Sequence, residues 1–370
     1  VTVYIVIVIL VHLSPIQHFL GNQVSSALAQ KFGTKVSVGR VDVGFFNRII
    51  IDDVMMYDQK GDSMLYASRI SAKIDLIPLA SNKISVGSAQ LFGLKLNLYQ
   101  QTATSKHNFQ FVLDSLASKD TTKHTPLDLH IGSLIIRHGS VNYDKRYVAE
   151  KQGIFSPAHI GIRELSTHII LSHLTDDNID LNIKKLAFTD KSGLQLKSLS
   201  FKLIADKQEA TLKNFDLQLP HSDISLGDIH ATYRVEKGKL VQPSLQYTGS
   251  IEQSKVTLAD IACFLPIFKH FDDAVYFCTT FSGTSTSLRC SSINFKTGSG
   301  SINLQAKGRV SDWNSKPAWN VDISNLNLTE ESVNFLSNNL GKKIQIPKEV
   351  LRLGDIHYEG NLHGRGKDLA

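Results

Sequence analysis

Leu129-His130-Ile131-Gly132-Ser133-Leu134-Ile135-Ile136 carries apolar residues at odd positions before its glycine and at even positions after it. The same pattern recurs as Val36-Ser37-Val38-Gly39-Arg40-Val41-Asp42-Val43 and as Ile84-Ser85-Val86-Gly87-Ser88-Ala89-Gln90-Leu91. It recurs again as Ile224-Ser225-Leu226-Gly227-Asp228-Ile229-His230-Ala231 and Leu351-Arg352-Leu353-Gly354-Asp355-Ile356-His357-Tyr358. A strand of strict period two cannot change parity and keep one buried face, because a one-residue slip turns every side chain over. A β-bulge at the glycine restores the facing and bends the strand. Gly39, Gly87, Gly132, Gly227 and Gly354 are therefore expected to be bulge residues. Their spacings of 48, 45, 95 and 127 residues fit, in the first three intervals, a unit of 45–50 residues.

Between these copies the alternation continues. Ile70, Ala72, Ile74 and Leu76 share a face, as do Leu94, Leu96 and Leu98, then Ile179, Leu181 and Ile183, then Leu194 and Leu196, then Leu199, Phe201 and Leu203. Half-apolar strands of this kind belong to an antiparallel sheet with one dry side. Two architectures bury such a side: a pair of sheets covering each other in tandem β-sandwiches, or a long curved antiparallel sheet rolled into an open hydrophobic groove. In the second, Leu129 and Ile131 join Ile74, Leu76, Leu94, Leu96, Leu98, Leu181, Ile183, Leu194, Leu196, Leu199, Phe201 and Leu203 as groove-lining residues.

Composition agrees with a mainly β chain. Of 370 residues, 42% are hydrophobic and 20% charged, with only 9 prolines, which excludes disorder. The 40 basic and 34 acidic residues leave a balance of +6 with no block of like charge, too thin for a nucleic-acid surface. Three cysteines, Cys263, Cys278 and Cys290, exclude a disulfide-built scaffold and leave room for one cross-strand bridge, Cys278 to Cys290.

The first thirteen residues, Val1-Thr2-Val3-Tyr4-Ile5-Val6-Ile7-Val8-Ile9-Leu10-Val11-His12-Leu13, are apolar, and no charged residue occurs before Lys31. A bilayer span needs about 20 helical residues, so Val1, Tyr4, Ile5, Ile7, Ile9, Leu10 and Leu13 read as the second half of a membrane anchor whose start lies upstream. A buried strand and a signal-peptide core are the rival readings. Basic residues flank the cytoplasmic side of such anchors, which would place the body outside the cytoplasm. Ser14 and Pro15 then read as an N-cap and first-turn proline of an amphipathic helix over 14–33, with Ile16, Phe19, Leu20, Val24, Ala27 and Leu28 on its apolar face and Gly33 at its end. Further short helices are expected around Phe109–Leu116, Leu258–Phe268 and Thr329–Gly341. The segments in order are an anchor (1–13), the helix (14–33), a first β region (34–117), a polar linker (118–126), β-groove repeats (127–250) and helix-interrupted repeats (251–370).

Catalytic signatures are missing from the sequence: no nucleophile elbow, zinc-binding His-Glu pair, phosphate loop or dinucleotide fingerprint occurs. Asp176, Asn178 and Asp180 open like a calcium loop, but Leu181 and Ala187 stand where glycine and glutamate are needed. His168 and His173 fall on opposite faces of a strand-like stretch and are poor joint metal ligands. Trp313 and Trp319 bracket Pro317 in what reads as a loop over a sheet edge. No enzyme, metal or cofactor is expected.

The order of features resembles the N-terminal region of the AsmA-like superfamily, nearest to its translocation-and-assembly-module (TamB) branch in Bacteroidetes-type envelopes. The resemblance is carried by the apolar start, the Ser14-Pro15-Ile16-Gln17 helix, Lys35–Val41, Ile51-Asp52-Asp53-Val54 and Asp58-x-x-Gly61-Asp62-x-x-Leu65. Leu258–Pro266 and Gly354–Gly364 resemble the family's short helix and its closing strand motif. The resemblance implies a single-pass inner-membrane protein whose body crosses the periplasm as a hydrophobic β groove. It implies phospholipid acyl chains as cargo, a BamA/TamA-type outer-membrane barrel as partner through a further C-terminal part, and a role in phospholipid transfer or outer-membrane protein assembly. The rival expectation is a membrane-tethered structural or interaction β-sandwich with no lipid ligand.

Overall fold

The computed structural model describes residues 13–44, 47–75, 85–116, 132–174, 178–236, 239–271, 273–333, 335, 354–366 and 368–369. The chain is mainly β. It divides into two compact units, the first running to Ser172 and including Lys184–Gly193, the second formed by His173–Ile183 and the chain from Leu194 onward. Residues 1–12 and 117–131 lie outside the described residues, and with them most of the expected anchor, the linker, Leu129 and Ile131; so do Leu76 and the side chain of Ile74. Residue 250, an expected boundary, falls inside a strand that is paired along both edges.

The first unit opens with α1 (Ser14–Phe32), β1 (Val36–Ser37), β2 (Arg40–Gly44), β3 (Arg48–Tyr57), β4 (Ser63–Asp75), β5 (Ser85–Phe92) and β6 (Lys95–Gln100). It continues with α2 (Gln110–Leu116), β7 (Ser133–Lys145) and most of β8 (His159–Leu174), and β9 (Ile179–Asp190) contributes its second half. Leu13, not Ser14, occupies the N-cap of α1, and no side chain caps it; Gly33 closes the helix at φ 63°. Leu20, Val24 and Leu28 lie on a core of Val36, Val38, Val41, Val54, Met56 and Met64, together with Phe109, Phe111 and Val112 from the α2 segment. Phe19, expected on that face, is exposed. Small residues bring α1 close: a Cβ on Gly21 would lie 3.2 Å from the Gly39 carbonyl oxygen, and Ser25 Oγ accepts the Val38 N–H at 2.9 Å. The helix thus covers one end of the sheet.

The sheet is not antiparallel throughout. β5 and β6 both run parallel to β7, with Ala89 opposite Leu134 and Lys95 opposite Ser140. That constant offset equals the spacing of Gly87 and Gly132, so two copies of the motif lie side by side in register. Parallel neighbours need a crossover of a dozen or more residues, and the stretch between Gln100 and Ser133 is long enough. Left-handed residues recur in this unit: Asp53 in β3 at φ 54°, Gly93 between β5 and β6 at φ 59°, His138 in β7 at φ 54° and Glu164 in β8 at φ 56°. Asp, Asn and His reach this region more readily than other non-glycine residues. Around His138 and Glu164 the β7–β8 register slips and then returns, which creases the sheet.

The second unit is an antiparallel meander of β10 (Gln195–Ala205), β11 (Glu209–Gln218), then β12 (Asp223–Leu226) with β13 (Ile229–Thr232), both on β11. It proceeds through β16 (Gln246–Thr257), β17 (Ala274–Thr284), β18 (Ser287–Thr297), β19 (Ile302–Ser311), β20 (Ala318–Leu328), β21 (Ile356–Arg365) and β22 (Asp368–Leu369). A separate hairpin joins β14 (Val235–Glu236) to β15 (Lys239–Leu240). Leu258–Ile261 and Pro266–His270 form two 3-10 turns instead of the expected helix, because Pro266 has no N–H for a continuing ladder. Only the start of the Thr329–Gly341 helix lies among the described residues.

Every second strand of this meander carries one extra residue relative to its neighbours. The register slips between Ile251 and Ser254 in β16, between Cys290 and Ile293 in β18, and between Ile323 and Leu326 in β20. The bulged residues of these three strands are polar: Glu252, Gln253, Ser291, Ser292, Ser324 and Asn325; in β11 the bulge is Asn214-Phe215, with Asn214 at φ 53°. Parity therefore does change along β16, β18 and β20 at polar bulges that carry no glycine.

The five motif glycines divide. Gly87 is the residue passed over where the β4–β5 register slips between Lys73 and Ile74. Gly39 and Gly227 sit between short strands, at β1/β2 and β12/β13; the register is continuous against β3 and β11, but across Gly227 it slips by one residue against β16. Gly132 enters β7, and Gly354 precedes β21 at φ 65°, the one of the five with a left-handed backbone.

Candidate functional site: the apolar face of the second unit

In an antiparallel sheet, residues directly opposite each other point to the same face. Following the register of the second unit, Phe277, Phe295, Leu304, Leu326 and Tyr358 form one transverse row. A second row runs Phe215, Leu226, Ile251, Thr279, Ile293, Ala306, Ile323 and Gly360. A third joins Gly249, Phe281, Cys290, Gly308, Val321 and Leu362. All lie on one side of the sheet, and the polar bulges keep them there: without the extra residue in β20, Leu326 and Leu328 would turn to the other side.

This face is apolar yet not closed. Phe277, Phe295, Leu304, Leu326 and Tyr358 are all half-buried, as are Leu226, Ile293 and Ile323; the buried members, Thr279 and Ala306, are small and lie in the shadow of larger neighbours. At the centre of a sandwich such residues would be fully buried. Among the described residues the only compact apolar cluster of this unit is Phe271, Val275 and Phe335 with the side chains around them, at one end of the strands. Aromatic rings close gaps over glycines within the face: a Cβ on Gly249 would meet the Phe281 ring at 2.9 Å and one on Gly283 the Tyr247 ring at 2.6 Å, which shields the bare backbone.

The candidate lining residues fall as follows. Leu199 and Leu203 in β10 oppose Leu217 and Leu212, and Phe201 stacks on Phe215 with ring centroids 6.3 Å apart. Leu181 and Ile183 are half-buried in β9, and Leu194 is half-buried just before β10. Leu196 at 8% exposure and Leu94 at 5% are buried and do not face an opening. In the first unit Leu96 opposes Leu65 and Val141, and Leu98 packs on the core beneath α1. Sequence reasoning missed Phe277, Phe295, Leu304 and Leu326, although Leu304, Leu326 and Leu328 alternate visibly. Trp319 stands on β20 opposite Val310, not in a loop. Cys278 and Cys290 lie on opposite faces, Cys278 opposite Asn294 and Cys290 opposite Phe281, and both are free thiols.

Polar clusters elsewhere hold loops. Asp58 Oδ1 accepts the N–H groups of Lys60 and Asp62, and Tyr99 Oη donates to Oδ2 at 2.9 Å, which fixes the β3–β4 hairpin. Burial and the Asp58 carboxylate push the Tyr99 hydroxyl up to about 12. Asp52 binds Arg69 Nε at 2.6 Å and Arg40 Nε at 2.7 Å. His221, Ser222 and Asp260 have the residue types of a hydrolase triad, but Ser222 Oγ donates directly to Asp260 and accepts the Thr257 N–H. His221 meets Asp260 and not the serine, so the trio ties a hairpin to a 3-10 turn. No three His, Cys, Asp or Glu side chains among the described residues converge as a metal site. No helix among them is long and apolar enough to cross a membrane. Comparison of the chain with protein-family models, with curated proteins and with solved structures gives no match.

Proposed function

We propose that this chain is the lipid-facing part of an envelope protein of the translocation-and-assembly-module type. In this reading the apolar face of the second unit is the wall of a hydrophobic groove that takes phospholipid acyl chains, and residues 1–13 end an inner-membrane anchor that leaves the body in the periplasm. The observation that carries the proposal is the unbroken apolar face spanning β11 to β21, half-buried along its length and polar on its reverse. A contiguous apolar surface of this extent is rare on soluble proteins unless something covers it. Acyl chains suit it, because each methylene moved from water to such a wall gains about 0.8 kcal/mol, and a row repeated from strand to strand offers equivalent positions along which a chain can slide. The family resemblance supports the same cargo and supplies the rest: transfer to the outer membrane or assembly of its proteins, with a barrel partner of BamA/TamA type. No catalytic step is part of the proposal.

Native mass spectrometry of the chain purified in mild detergent tests it. Phospholipid of mixed headgroup bound to the protein is the expected result. A chain that emerges from membranes free of lipid favours the rival reading of a membrane-tethered structural β protein.

A further inference from the structure

The reverse side of the second unit carries a feature that neither the apolar face nor the resemblance accounts for. On that side one transverse row runs Thr211, His230, Thr248, Ser282, Arg289, Arg309, Asn320 and His363 across eight strands. Arg289 in β18 and Arg309 in β19 are direct cross-strand partners in its middle. Directly opposed side chains have Cβ atoms about 5 Å apart, and like charges there destabilise a sheet. Both arginines are exposed, and among the described residues neither has a carboxylate partner. The row itself contains no acid. Asp322, one step away, is 3.7 Å from Lys307 and accepts from Asn361; Glu209, at the far end, is 3.8 Å from His230.

We infer that Arg289 and Arg309 form an anion site that takes a phosphoryl group. Two guanidinium forks side by side match the oxygens of one phosphate, which accepts from both and cancels their repulsion. A hydroxyl lies beside the pair: Ser282 is the cross-strand partner of Arg289. Two residues further along the same strands, Lys307 adds a third cation, paired with Asp322 at 3.7 Å. The site is on the opposite face from the proposed lipid wall and does not rest on that reading. The phosphoryl group belongs either to a soluble phosphate compound or to lipid headgroups on a membrane surface.

The test compares the full chain with the Arg289→Gln/Arg309→Gln double variant. Thermal melts in inorganic phosphate are read against chloride at matched ionic strength, and flotation is measured with phosphatidylcholine vesicles with and without phosphatidylglycerol. A phosphate-specific rise in the midpoint of the parent, lost in the variant, assigns a soluble phosphate ligand. No phosphate response, together with flotation that needs phosphatidylglycerol and falls roughly 10- to 30-fold in the variant, assigns a headgroup. In either case the variant melts no lower than the parent in chloride, because the repulsion is gone. Parent and variant behaving alike in both assays overturns the inference.

Discussion

The amide of Gly132 donates to the Val86 carbonyl at 3.3 Å, and a Cβ on Gly132 would lie 2.9 Å from the carbonyl oxygen of Gly87. Two copies of the recurring motif therefore meet glycine to glycine across a parallel strand pair. Both residues have ordinary backbone angles, so conformational freedom at positive φ is not why glycine stands at either position. Gly132 is needed for close approach.

Gly132→Ala is expected to destabilise by about 1–3 kcal/mol, since a backbone oxygen must move to admit even one methyl. Gly227→Ala meets only the Ser250 hydroxyl and the Glu252 carboxylate, both on side chains that can turn away, and costs less than 1 kcal/mol by the same reasoning. Chemical denaturation of the two variants checks the order; equal losses would show that the spacing of backbone atoms is not the cause.

Asp190, 1% exposed, accepts the N–H groups of Gly161 and Ser192, each at 2.9 Å. Burial pushes its carboxyl up, but hydrogen bonding from Ser192 and Gly161 and the nearby Lys191 charge outweigh it and hold the carboxyl below the ordinary carboxylate range. Hydrogen bonds from Arg69, together with Arg40, likewise outweigh burial and lower Asp52. A carboxyl depressed in the fold contributes stability above its ordinary range that is lost as pH falls through the folded value. The chain should hold its stability from neutral pH to about pH 4 and lose it steeply below. Asp190→Asn should lower stability at pH 7 by roughly 1–2 kcal/mol and flatten the acid limb, read by denaturant melts across pH. An acid limb as steep as the parent's would remove Asp190 from the account.

Deleting Ser324 removes the extra residue of β20 and should turn Leu326 and Leu328 to the polar side. Deleting Asn314, in the turn between β19 and β20, leaves the register of both strands intact. The first deletion is expected to lower the melting midpoint far more than the second. Similar midpoints would mean that the bulges do not set which way the apolar residues face.

The sequence revealed what obeys a period. Alternation made the chain mainly β, Pro15 and Gly33 bracketed α1, and the spacing of Gly87 from Gly132 became the register of β5 against β7. Bulges were hidden, because Ser291-Ser292 and Ser324-Asn325 look like ordinary polar residues of a solvent face. The left-handed residues were hidden too, since Asp53, His138 and Glu164 carry none of the signal that glycine does. The parallel pairing depends on a crossover that no local pattern announces. Leu196 alternates like its neighbours, yet its burial comes from packing that periodicity does not encode. For the candidate site, Leu199, Phe201 and Leu203 were legible as one face, but the wall from Phe277 to Tyr358 was missed because its parity changes at those polar bulges.

Ile323 and Asp322 are adjacent in β20 and point to opposite faces, Ile323 opposite Ala306 in the apolar row and Asp322 opposite Lys307 on the polar side. A photo-activated benzophenone side chain placed at either position, in cells carrying labelled phospholipid, tests the central claim most directly. Crosslinked phospholipid from position 323 and little or none from position 322 is the predicted result. No labelling from position 323, with or without labelling from 322, would contradict an acyl-chain wall on this face.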